Sequence, residues 1–142
     1  MESLDNIVFY TIDRAIKTYR QFAQQQLKKN GFEMTVDQWI VLKCILQNPE
    51  ITQSEIAQAV FKDSASVTRI IALLVKSKYL KSKANPSNRR RVVLTITALG
   101  LETLEEMEKV IKKNRKTALK TIKKKDIERI KVLMNQISEN CS

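Results

Sequence analysis

Gly31 and Gly100 are the only glycines among 142 residues, and Pro49 and Pro86 are the only prolines. A backbone with so few residues suited to sharp turns or helix breaks favours long helices joined by short connections. Hydrophobic side chains at 43% and charged ones at 29% give the balance of a folded chain rather than a disordered one. The length is that of one ordinary domain, enough for a real core.

Hydrophobic periodicity and capping residues divide the chain. Leu4, Val8, Ile12, Ala15, Tyr19, Phe22 and Leu27 share a helical stripe, ended by Asn30-Gly31. Thr35-Val36-Asp37-Gln38 has capping-box spacing and opens a helix through Gln47, stopped by Asn48-Pro49. Thr52-Gln53-Ser54-Glu55 is a second such box, for a short helix ending near Val60. Asp63 caps a helix to about Lys78. The period then changes: Leu80–Ala84 and Val92–Ile96 are short and rich enough in β-branched residues to pair as strands, with Asn85–Arg90 as the loop. Thr97 caps a long helix carrying Leu101, Leu104, Met107, Ile111, Ala118 and Ile122. Lys123-Lys124-Lys125 reads as a basic hinge before a last helix that starts near Asp126.

The order is four helices, two strands and two helices, which fits a helix-turn-helix followed by a two-stranded wing. The expected fold is mostly α with a small β-hairpin wing. Residues 1–33 and 101–142 are expected to be dimerisation helices, and residues 34–100 the winged helix-turn-helix. A head of about 60 residues has little surface to cover the terminal apolar stripes. They are expected to pack on one another and on a second copy of the chain.

Charge points the same way. The net +11 is uneven: residues 1–50 balance at six basic and six acidic, while residues 51–100 hold nine basic and two acidic side chains. Residues 101–142 hold eleven and seven. So positive a middle third is the footprint of a surface for a polyanion. No apolar run reaches the ~18 residues of a membrane span, and early Glu2 and Asp5 do not suit a signal peptide, so the expected location is the cytoplasm.

Catalysis and metal chemistry find little footing. Without any histidine, and with Cys44 and Cys141 far apart, a structural zinc lacks ligands and no disulfide framework is expected. Cys44 follows Trp39, Ile40 and Leu42 and is expected to be a buried, inert thiol. No phosphate-binding glycine loop exists, and Glu102, Glu105, Glu106 and Glu108 suit the start of a helix better than an active site. Neither an enzyme nor a cofactor is expected.

The helix from Asp63 carries the sharper signal. Val67, Ile70, Ile71 and Leu74 form its apolar face, leaving Ala65, Thr68, Arg69, Ala72 and Lys76 outward and Ser64 and Ser66 in the first turn. Small hydrogen-bonding residues permit close approach to base edges, and Arg69 suits a guanine or a phosphate. An ordinary amphipathic surface helix is the bland alternative. No acidic residue follows Asp63 until Glu102, which weighs against it. Arg89, Arg90 and Arg91 after a turn suit the negative potential of a narrow minor groove. Gln53, Ser54 and Asn88 complete the expected DNA-contacting set.

The run Asp63-Ser64-Ala65-Ser66-Val67-Thr68-Arg69, with Leu74-Val75-Lys76, Tyr79-Leu80, Asn88-Arg89-Arg90 and Ile96-Thr97-Ala98-Leu99-Gly100, resembles the MarR family of bacterial transcriptional regulators. The resemblance covers about Met34 to Gly100 by motif. It implies a winged-helix homodimer, usually a repressor, on a pseudo-palindromic operator in double-stranded DNA. It also implies that Arg90 pairs with Asp63 as a brace between wing and recognition helix. Asn88 stands where the family usually has aspartate, and Lys78 where it usually has glycine. Many members bind small anionic aromatics between dimer helices and reading head, which makes such a molecule the candidate effector. Phe9, Tyr10, Tyr19, Phe22, Phe32 and Trp39 are the aromatics that could line a pocket, although core is the commoner role. The competing function is a non-specific architectural nucleic-acid-binding protein, which would show similar affinity for any duplex and a steep salt dependence.

Overall fold

The computed structural model describes residues 1–142, the Arg89 side chain excepted. A single 3-10 turn (Leu4–Asn6) precedes α1 (Val8–Lys29), α2 (Val36–Gln47), α3 (Gln53–Val60) and α4 (Ser64–Lys76). An antiparallel hairpin follows, β1 (Leu80–Asn85) with β2 (Asn88–Ile96), and then α5 (Ala98–Ala118) and α6 (Lys124–Asn140).

Local chemistry sets the boundaries. Thr35 and Gln38 make the reciprocal capping box at α2. Thr52, Asp63 and Thr97 each accept the backbone N–H three residues on. At the other ends, Phe32 N–H bonds to the Leu27 carbonyl and Gly31 N–H to Lys28, the Schellman pattern that lets the chain leave α1. The same pair of bonds closes α4, from Tyr79 to Leu74 and from Lys78 to Val75. Lys78 thus takes the left-handed conformation (φ 66°) that glycine would adopt without strain, and α4 stops at Lys76, two residues before the expected end. Phe61, with φ 58°, does likewise in the turn between α3 and α4.

The core lies among α2, α3, α4, the wing base and the inner face of α5. Leu27, Met34, Val41, Leu42, Ile45, Ile56, Val67, Leu74, Leu80 and Met107 are all but inaccessible. α5 enters this core beside the wing: the Thr97 hydroxyl donates to the Lys78 carbonyl at 2.7 Å, and Thr97 N–H to Tyr79 at 3.1 Å. Gly100 faces the same strand end. A Cβ there would lie 2.3 Å from the Tyr79 carbonyl oxygen and 2.8 Å from Ile96, so only glycine fits.

Four expectations need correction. The first helix is broken at Ile7, because Ile7 is extended (ψ 114°) and has no side-chain cap to offer. The hairpin loop shrinks to Pro86-Ser87, so the arginines lie in β2 rather than at a tip. α5 ends at Ala118, leaving Ile122 outside it in a turn where Thr121 has φ 70°. The three lysines are therefore no hinge: Lys123 is the N-cap of α6, and Lys124 and Lys125 begin the helix.

The terminal helices are less covered than the head. Ala23 and Leu27 are buried near the end of α1, while Leu4, Val8, Phe9 and Ile16 at its start are exposed. No residue of α6 is buried.

Candidate nucleic-acid interface

α4 is seated by Val67, Ile71 and Leu74, which places Ser64, Ala65, Thr68, Arg69, Ala72 and Lys76 on the open side. Its first turn is internally bonded. The Asp63 carboxylate accepts from Ser66 N–H at 2.7 Å and from the Ser66 hydroxyl at 3.0 Å. Those bonds, backbone first, hold Asp63 below the usual carboxylate range, and Arg69 adds to the effect. Arg69 in turn donates to the Ser66 oxygen at 3.2 Å, so its guanidinium lies back toward the start of the helix. The Thr68 hydroxyl spends its proton on the Ser64 carbonyl at 2.9 Å, leaving its oxygen free to accept. A small-residue face with one oriented guanidinium can approach a base edge closely.

Both asparagines of the hairpin shape its turn: Asn85 accepts from Ser87 N–H at 2.9 Å and Asn88 from Arg90 N–H at 3.1 Å. Ala84 is paired with Val92 and Asn85 with Asn88, so Arg89, Arg90 and Arg91 have no partners across the ladder. They form a bulge, a device that re-aims side chains away from the sheet. Leu80 and Leu94 anchor the hairpin to the core.

The wing turns this bulge toward the start of α3. Arg90 and Arg91 share a cleft with Thr52, Gln53 and Ser54. Among the described residues no ion pair joins Asp63 to Arg90, and the Asp63 carboxylate accepts two bonds from Ser66. Lys62 makes an ion pair within the head, and an arginine of α1 ties the head to its frame. Lys62 reaches Asp37 at 3.3 Å, and Arg20 reaches the same carboxylate at 3.5 Å. The sequence reading missed both contacts, since residues so far apart carry no local signal.

Sequence-expected residues thus fall into three groups. Ser64, Ala65, Ser66, Thr68, Arg69 and Lys76 lie along α4, Gln53 and Ser54 at the exposed start of α3, and Asn88, Arg90 and Arg91 on β2. Arg89 also belongs to β2, with its side chain outside the description. Arg69, Lys76, Arg90 and Arg91 enter no ion pair among the described residues.

A second concavity of about 220 Å³ lies among α1, α2 and α5, walled by Tyr19, Arg20, Val36, Trp39, Ile111 and Arg115. Burial pushes the Tyr19 phenol up, with Arg115 opposing. The Trp39 indole nitrogen is buried and has no hydrogen-bond partner. Of the six aromatics considered from sequence, Tyr19 and Trp39 line this space, Phe32 packs on the core, and Phe9 is exposed. Arg115 was not anticipated. Cys44 is half-buried with its thiol pushed up by burial, and Cys141 is exposed.

A helix-turn-helix with an arginine-bearing wing, set between terminal helices that expose apolar stripes, defines a winged-helix protein. Residues 34–92 match the model of the MarR family. The chain is 23% identical over 136 residues to the HTH-type transcriptional repressor IacR of Pseudomonas putida, covering 96% of this chain and 80% of that one. Its fold is that of Bordetella bronchiseptica BpsR (TM-score 0.87, 22% identity, 97% of each chain), a structure describing regulation of that protein's DNA binding by 6-hydroxynicotinic acid. It is also that of S. aureus MepR in complex with DNA (TM-score 0.85, 19% identity, 96% of this chain and 99% of that one). No helix of the chain is long and apolar enough to cross a membrane.

Proposed function

We propose that this protein is a sequence-specific transcriptional regulator, a repressor that binds a pseudo-palindromic operator as a homodimer. The observation that carries this reading is the pairing of an open, small-residue face on α4 with a bulge of arginines on the adjacent wing, where Arg90 and Arg91 enter no ion pair among the described residues. In it, α4 enters the major groove with Ser64, Ser66, Thr68 and Arg69 toward base edges. Arg89, Arg90 and Arg91 serve the minor groove and its phosphates, and Gln53 and Ser54 the backbone. IacR is described as a repressor and MepR is seen with DNA, which supports the same reading here.

Exposed Leu4, Val8, Phe9, Ile130, Val132 and Leu133 support the homodimer, since apolar surface of that extent calls for a partner. The concavity beside Trp39 suits a small anionic aromatic effector: the ring would lie on Trp39 and Val36, with its carboxylate toward Arg20 and Arg115. The unpartnered indole N–H and the effector of BpsR support that class of ligand.

Selection of bound duplexes from a random pool tests the reading. The expected result is a two-fold site with half-sites about one helical turn apart, as for a dimer with two reading helices. Equal recovery of all sequences would replace it with the architectural alternative. Arg69→Ala should relax base preference at one position per half-site while costing about 1–3 kcal/mol of binding.

A further inference from the structure

The head does not account for the chain's densest positive charge. Between Lys109 and Lys131 there are eleven lysines and arginines and only Asp126 and Glu128 to offset them. All eleven are exposed. Arg115 pairs with Glu108 and Lys131 with Glu128, and the other nine enter no ion pair among the described residues.

Helical geometry arranges four of them in a line. At about 100° per residue, Lys109, Lys112, Lys113 and Lys116 fall within a face of about 100° on α5, and Lys120 follows in the turn just past its end at Ala118. That face is opposite Leu104, Met107 and Ile111, the residues α5 buries. On α5 the line is about 11 Å long and lies about 17 to 27 Å from the start of the helix, where Gly100 meets the wing base. Lys123, Lys124 and Lys125 extend the charge into α6.

We propose that this lysine face is a second, sequence-independent binding surface for duplex DNA, separate from the winged head. Duplex DNA carries about one negative charge per 1.7 Å of axis, so a straight row of cations meets phosphates along its whole length. An interface between protein copies would have to strip water from four ammonium groups, each at a cost of several kcal/mol, and so excludes this face. A lipid surface fits less well, because the line on α5 contains lysine alone, and the exposed Leu119 and Ile122 lie beyond its end. The local repulsion of four like charges is what a polyanion relieves. Four glutamates at residues 102–108 precede the line, so α5 repels a duplex near the head and attracts one beyond it.

The test separates the two surfaces in the full chain. A head variant (Arg69→Ala, Arg90→Ala, Arg91→Ala), a face variant (Lys112→Gln, Lys113→Gln, Lys116→Gln, Lys120→Gln) and their combination are titrated with a random-sequence duplex of about 30 base pairs at about 50 mM salt. These side chains are exposed and the lysines unpaired, and thermal melts matching the wild type establish that each variant folds. The head variant is expected to keep binding at least tenfold tighter than the combined variant. Its log K against log salt slope should be steeper by about 3 to 4, near 0.9 per lysine removed. Equal affinity of head and combined variants would overturn the proposal, whatever the wild type does with an operator. Tighter binding of the head variant to phosphatidylserine–phosphatidylcholine vesicles than to the duplex would overturn it in favour of a membrane surface.

Discussion

Val67, Ile71 and Leu74 of α4 are buried against the head, while Ile130 and Leu133 of α6, drawn from an equally regular stripe, stay nearly half exposed. The two helices have comparable amphipathic patterns, so periodicity alone does not separate them. What differs is the supply of apolar surface opposite. α4 finds α2, α3 and β1 waiting, whereas α6 follows a turn that carries it off the end of α5, with Ile127, Met134 and Ile137 only partly covered and no residue fully buried. One stripe is satisfied within the chain. The other is consistent with a partner outside it.

The largest expected effect tests that difference directly. Ile130→Asp with Leu133→Asp should dissociate the proposed homodimer, seen by sedimentation, and weaken binding to its selected duplex by about 100-fold or more as two linked half-site contacts become one. Leu74→Ala should instead lower stability by about 2–5 kcal/mol at every protein concentration, since its cavity opens inside one chain. If the α6 double variant sedimented like the wild type, the stripe would need another occupant.

Gly100→Ala comes next. It asks whether the seam between head and α5 is as closely fitted as α4's own bed. A methyl group driven onto the Tyr79 carbonyl should cost about 1–3 kcal/mol in denaturant unfolding and loosen the wing base. Unchanged stability would mean that α5 can slide, and that the boundary between the two regions is softer than drawn.

Arg90→Ala and Asp63→Ala sharpen the comparison inside the head. Because Ser66, rather than Arg90, holds Asp63, the two substitutions should act independently and add in a double-mutant cycle. Arg90→Ala should weaken DNA binding by about 1–3 kcal/mol with no loss of thermal stability. Asp63→Ala should lower the melting temperature through its lost cap. The Asp63 contribution should be full above the ordinary carboxylate range near pH ~3.9 and fade as pH falls through its lower folded value. Strong coupling between the two positions would reinstate the brace.

Much of this was legible in the sequence because the signals are local. Thr35, Thr52, Asp63 and Thr97 each announce a helix through a bond to the third residue on, and all four caps form. The stripes of α2 and α4 and the order of elements follow from the same short-range rules. The hairpin was read too loosely because its two-residue turn depends on a bulge that three consecutive arginines do not disclose. The Asp63–Arg90 brace rests on resemblance alone, and resemblance does not register the two bonds that Ser66 makes to the same carboxylate. The bonds from Arg20 and Lys62 to Asp37 arise from how α1 and the α3–α4 turn meet α2, and the wall that Arg115 gives to the concavity from how α1 and α5 are juxtaposed. Such contacts have no sequence period.

The smallest effect concerns Lys78, where resemblance flagged an unusual residue and geometry supplies the reason. Three helices close with the same Schellman bonds, α1 with Gly31 in the left-handed position, α3 with Phe61 and α4 with Lys78. The lysine takes that conformation because Tyr79 and Leu80 must turn back toward the core, and their burial outweighs the backbone strain. Lys78→Gly should therefore stabilise the fold by about 0.5–1 kcal/mol, the relieved strain less the extra freedom glycine gains when unfolded. Since Thr97 donates to the Lys78 carbonyl, and a backbone carbonyl survives the substitution, the α4–α5 connection should persist in the variant. A loss of stability would mean that the lysine side chain itself contributes at the wing base, and that the end of α4 is held by more than backbone geometry.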